Sequence, residues 1–188
     1  MKKIATHDSG TGEKSKNFLH SLGKIFAMTQ TKTIREQYDC GVRYFDLRVD
    51  RDLTLCHGLW KANKNLADIL IEMQKYVSET TYIAVTIERE YPNEVNKALV
   101  KKIRNLVNLH GRNIELVYIA KKKPSWEVVR EYRKVSCVCG YLSVPTPKQY
   151  LTLALRDWRR YIPIPWVLKK ITPKVEFNGD CFTMVDFI

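Results

Sequence analysis

The chain has 188 residues, 45% of them hydrophobic and 28% charged, with a formal net charge of +12. That size suits one domain with a sizeable core, and no apolar run approaches the roughly 18 residues of a membrane span. The basic excess favours an anionic partner, and five cysteines without paired CxxC spacing argue against a disulfide framework or a zinc site.

In chain order, Ile4-Ala5 reads as a first strand, punctuated by Gly10 and Gly12. Lys2-Lys3 leads straight into that strand rather than into a signal-peptide core, which leaves the compartment open, cytoplasmic or secreted. Phe18, Leu19, Leu22, Ile25 and Phe26 have helical spacing within 15–28, with Ser15 as candidate N-cap and His20 in a surface or packing role. A short helix follows over Thr33–Asp39, then the clearest strand, 42–49, an Asp50-Arg51-Asp52 turn and a strand over 53–57. Helices are expected at 66–77, 93–109, 125–133 and 149–160, and strands at 81–88, 114–120, 134–139 and 181–187. A proline-bounded loop falls at 145–147, and Lys121-Lys122-Lys123 reads as a solvated turn. The alternation of strands and helices predicts a parallel sheet in a single α/β domain over 1–188.

Side chains two apart on a strand share a face. In 42–49, Phe45, Leu47 and Val49 share one face, suited to helices. Tyr44, Asp46 and Arg48 share the other. An unpaired charge there would be costly, so Asp46 and Arg48 either pair with each other or serve a ligand. His7-Asp8 after the first strand and His57 at the end of the third are candidates for proton transfer.

Four motifs fall in a specific order: HDSGT from His7; Gln30 and then TIREQYDCGVRYFDLRV; LCHG around His57; and TMVDFI at the end. Together with fainter likeness through TYIAVTIERE and PSWEVVREYRKV, they resemble the X-domain of phosphatidylinositol-specific phospholipases C over nearly the whole chain. The resemblance implies a (β/α) TIM-type barrel with parallel strands. It would be compact or incomplete, because the chain is shorter than the usual ~250 residues. It also implies a phosphodiesterase in which His7 takes the proton from an attacking hydroxyl and His57 protonates the leaving alcohol. Arg48 would hold the phosphate oxygens. On the same basis Asp8 supports His57, Asp186 orients His7, and Asp46 belongs to the cluster.

The likeness is closest to the bacterial, metal-independent branch, where an arginine matching Arg48 replaces the calcium of the animal enzymes. No cofactor is therefore expected. Glu88 departs from that pattern, standing where the bacterial enzymes carry lysine and the calcium-using ones an acidic ligand. It could join Asp8 and Asp46 in a calcium site, or form a salt bridge to Arg48. Glu88 and Tyr141 are the substrate-binding candidates. VSCVCGYLS lacks the arginine that helps bind inositol, which leaves the head group undecided. Trp158 and Trp166, amid basic and aliphatic residues, are the candidates for contact with an anionic membrane surface. The expected partners are a phospholipid or other phosphodiester substrate and that surface, with no nucleic acid and a monomeric chain. A metal-dependent glycerophosphodiester phosphodiesterase and a non-catalytic basic lipid- or polyanion-binding barrel stay open as alternatives.

Overall fold

The structure, a computed structural model, describes residues 4–121, 135–137 and 182–185. Eight strands form one sheet: β1 (Ile4–Thr6), β2 (Val42–Val49), β3 (Thr54–His57), β4 (Trp60–Asn65), β5 (Thr81–Ile87), β6 (Ile114–Lys121), β7 (Val135–Cys137) and β8 (Phe182–Val185). The helices are α1 (Phe18–Ala27), α2 (Ile34–Asp39), α3 (Leu66–Met73) and α4 (Asn93–His110), and a 3-10 turn covers Ser9–Gly12.

Six strands run parallel in the order β6-β5-β2-β1-β8-β7. The expectation of parallel strands throughout is corrected by the β3-β4 hairpin: β3 is antiparallel to β2, and β4 is antiparallel to β3. Short turns, Asp50–Leu53 and Gly58–Leu59, permit only antiparallel pairing; a parallel return needs a crossover of a dozen residues or more. Among the described residues the sheet does not close, since β6 and β7 each have one neighbour.

The two faces of β2 part as the alternation requires. Phe45, Leu47 and Val49 lie in the main core with Ile34, Leu70 and Ile103 of the helices. Tyr44 packs on the opposite face with Ala5, Ala84 and Met184. Two helix starts are written in the sequence as reciprocal capping boxes, Thr33 with Glu36 and Asn65 with Asp68.

Several boundaries differ from expectation. α1 starts at Phe18 and is capped by Asn17, not Ser15, because the Ser15 hydroxyl accepts from Trp60 Nε1 instead. α3 ends at Met73 rather than 77. β4 escapes sequence reading because lysine and asparagine are poor strand formers; only its alternately buried Trp60 and Ala62 carry the period of two. The helices expected at 125–133 and 149–160, the loop at 145–147, and Lys122-Lys123 lie outside the described residues.

Gly12 closes the turn that follows His7 and Asp8. A Cβ there would stand 1.7 Å from the Lys32 carbonyl oxygen, a backbone atom with no rotamer to yield. Gly12→Ala is expected to destabilise the fold by about 2–3 kcal/mol and to disturb the turn. Urea denaturation would measure the first effect, and the amide shifts of Ser9–Thr11 would report the second.

Candidate active site

The polar residues gather at the C-terminal ends of the parallel strands, where α/β sheets place their sites. His7 and Asp8 follow β1, Asp46 and Arg48 sit in β2, and Glu88 follows β5. The β3-β4 hairpin folds back to bring in His57.

The loop after β1 is held from several sides. Asp8 adopts a left-handed conformation, φ 44° and ψ 48°, which aspartate tolerates better than most residues. Thr11 donates from both its amide and its hydroxyl to the Asp8 carbonyl. The His7 carbonyl accepts from the Thr29 hydroxyl at 3.0 Å and from Gln30 Nε2 at 3.3 Å. Gln37 Nε2 donates to the Ser9 and Lys32 carbonyls. All three anchors, Thr29, Gln30 and Gln37, are buried. They satisfy backbone groups that would otherwise be costly inside the protein and fix the direction of the His7 and Asp8 side chains.

Asp8 is the hub. Its Oδ2 lies 3.2 Å from His7 Nε2 and 3.3 Å from His57 Nδ1, and its Oδ1 pairs with Arg48 Nε. Arg48 also reaches Glu88 Oε2 through Nη1 at 3.4 Å and His7 Nε2 through Nη2 at 3.2 Å. A guanidinium can only donate and a carboxylate can only accept, so His7 Nε2 accepts from Arg48 when it is unprotonated and donates to Asp8 when it carries the proton. Asp46 joins the group: one ligand atom each from His7, Asp8 and Asp46 lie within 4.8 Å of one another. His7, Asp8, Asp46 and Arg48 are all buried.

Burial by itself would lower the Arg48 pKa. The charges of Asp8, Asp46 and Glu88 outweigh it and hold the guanidinium above its ordinary value. His57 goes the other way. Burial pushes its imidazole below 6.5, Asp8 pulls it up, and Arg48 and His7 push it further down. Its Nδ1 also donates to the Ala27 carbonyl at 2.7 Å, leaving Nε2 as the nitrogen that exchanges a proton.

The lowered His57 pKa has a stability consequence. The unfolded chain binds the proton more readily than the folded one, so the His57 contribution is complete above about 6.5. It is lost as the pH falls through the lower folded value. Urea midpoints at pH 7.5 and pH 5 should therefore differ less in His57→Asn than in the wild type.

Of the residues singled out in the sequence, His7, Asp8, Asp46, Arg48, His57 and Glu88 come together. The Glu88–Arg48 salt bridge forms. Asp186, Tyr141, Trp158 and Trp166 lie outside the described residues. Strand β8 runs beside β1 with Val185 against Thr6.

No family model matches the sequence. A curated 1-phosphatidylinositol phosphodiesterase of Listeria monocytogenes is 25% identical over 105 residues, 56% of this chain and 32% of that protein. The chain thus matches about a third of the length of that relative. The solved phosphatidylinositol-specific phospholipase C of Listeria monocytogenes superposes with a TM-score of 0.55 and 16% identity, covering 98% of this chain and 88% of the other. The chain is thus similar in sequence to a bacterial phosphatidylinositol phosphodiesterase, and in fold to a bacterial phosphatidylinositol-specific phospholipase C. A second phospholipase C of this kind, from S. aureus, overlaps more loosely, with a TM-score of 0.44 and 21% identity over 61% of this chain and 46% of the other.

Sequence reasoning missed two things at this site. One is the Ala27 carbonyl, a backbone partner that no residue type announces. The other is the outward face of α1. Phe18 and Leu19 are about three-quarters exposed and Leu22 about half, so this apolar set does not belong to the core as its spacing suggested. The available signal was the lack of any acidic residue from 14 to 28, amid three lysines.

Proposed function

We propose that this chain cleaves the phosphodiester of a phosphatidylinositol-type lipid by acid-base catalysis without a metal. The observation that carries the proposal is the convergence of two imidazoles and a guanidinium on the one buried carboxylate of Asp8. His7 removes the proton from a hydroxyl of the head group, and that oxygen bonds to phosphorus. The bond from phosphorus to the glycerol oxygen breaks, and His57 returns a proton to that oxygen. Arg48 balances the charge that builds on the non-bridging oxygens. The parallel strands are, on this reading, most of a compact barrel.

The acidic residues suit calcium poorly. Asp8 and Glu88 are both engaged by the Arg48 guanidinium, and a cation placed among Asp8, Asp46 and Glu88 would meet that fixed positive charge. This also speaks against the metal-dependent glycerophosphodiesterase alternative.

Anionic membrane is the expected surface partner. Among the described residues no helix is long and apolar enough to cross a membrane. Phe18, Leu19 and Leu22 of α1 and Leu59 of the β3-β4 turn are exposed. His20 Nδ1 contacts the Leu59 carbonyl at 2.9 Å, which joins the two groups into one rim beside His57. With Lys14 and Lys16 exposed nearby, this mixture suits an anionic lipid interface.

The test is phosphatidylinositol cleavage in vesicles with excess chelator. Full activity is expected there, and complete loss would overturn the metal-free proposal. Phe18→Ser with Leu59→Ser should reduce vesicle binding by about tenfold or more and leave cleavage of a monomeric substrate intact.

A further inference from the structure

We propose that Glu88 is a positioning residue that sets the His57 imidazole by bracing the Gly58 turn against Arg48. The proposal rests on His57 as the general acid. The hairpin pairs His57 with Trp60, so Gly58 and Leu59 are its two turn residues. Gly58 has φ +59°, the conformation such a tight turn asks of its first residue. The closing bond of a turn joins its first and fourth residues, and the amide of the second is not used. Here that amide, of Gly58, donates to Glu88 Oε1 at 3.0 Å.

The other carboxylate oxygen, Oε2, takes Arg48 Nη1. The Glu88 amide donates to the Val49 carbonyl, so the strut is rooted at the end of β2. One side chain thereby ties the residue next to the acid to the group that holds phosphate. Arg48 does not depend on it, because Asp8 pairs with the guanidinium at Nε. The Gly58 turn is the party that Glu88 restrains. The residue acts through His57 rather than on the substrate, and its two oxygens are turned to protein groups.

The experiment compares wild type, Glu88→Ala and Glu88→Gln on two substrates. Phosphatidylinositol loses an alkoxide and needs a proton from His57. The 4-nitrophenyl ester of inositol phosphate loses a stable phenolate and needs little help. Glu88→Ala should lower kcat on the lipid by about 30-fold with KM little changed, and lower it on the aryl ester by no more than about threefold. Glu88→Gln keeps an oxygen for Gly58 and should recover to within about fivefold of wild type. Exchange of the Gly58 amide should quicken in Glu88→Ala while core amides stay protected.

Equal losses on both substrates, a change confined to KM, or a glutamine variant no better than alanine would overturn the proposal. A wild type that turns over neither substrate would refute the phosphodiesterase reading instead. The strut would then stand or fall on Gly58 exchange alone.

Discussion

Arg48→Ala is expected to abolish detectable phosphodiester cleavage and to destabilise the fold by roughly 3–5 kcal/mol, the usual cost of removing one partner from a buried ion pair. Asp8 and Glu88 both pair with the guanidinium, and Asp46 lies in its field. Without it, three carboxylates face one another beside two imidazoles, and the site must take up protons or open. Arg48→Lys separates the two effects. Lysine keeps the charge, so most of the stability should return, but its ammonium cannot present three separate donor nitrogens to Asp8, Glu88 and His7. Loss of one preorganised donor to the transition state costs ~10²–10³ in kcat. The lysine variant should fall in that range on phosphatidylinositol, with a urea midpoint much closer to wild type than that of the alanine variant. A lysine variant with full activity would remove Arg48 from phosphate stabilisation.

His57→Ala gives the second large effect, and it depends on the substrate. Proton donation in the transition state is worth ~10²–10⁴ in rate. That factor should be lost for the glycerol leaving group and mostly retained for 4-nitrophenolate. His7→Ala should impair both, because the attacking hydroxyl must lose its proton whichever group departs. The pH profile carries the same signature. Burial holds the His57 pKa below 6.5, so kcat/KM on the lipid should decline on the alkaline side from an acidic limb. The decline should vanish in His57→Ala. Steady-state rates from pH 4.5 to 8 on the two substrates check both expectations. Equal losses on both leaving groups would reassign His57 to a binding role.

The sheet was legible wherever side chains alternate between contrasting environments. β2 declared both faces, with Phe45, Leu47 and Val49 inward toward the helices and Tyr44, Asp46 and Arg48 on the other side. The capping boxes at Thr33 and Asn65 were written in residue type. β4 was not legible, because its lysines and asparagines pair with β3 through backbone groups that every residue possesses. The polar cluster was legible as a set of motifs but not in its arrangement. The motifs place His7, His57 and Arg48 in one site without saying what joins them; in the structure both imidazoles contact Asp8, and His7 also contacts the guanidinium. Distances of a few ångströms between residues about fifty positions apart depend on the left-handed turn at Asp8, which no periodicity reveals. The face of α1 misled for a different reason. Helical spacing of apolar residues shows that a helix has an oily side, and it is silent on whether protein or something else covers that side.

The 2.7 Å contact between the last carbonyl of α1 and the His57 ring has a mechanical meaning. The helix that offers its greasy flank outward is also the arm that grips the acid. Any tilt imposed on that flank is delivered to one proton-bearing ring at the far end, as a lever delivers force. On the proposed function, the seating of that helix and the aim of the His57 proton are therefore linked through one hydrogen bond.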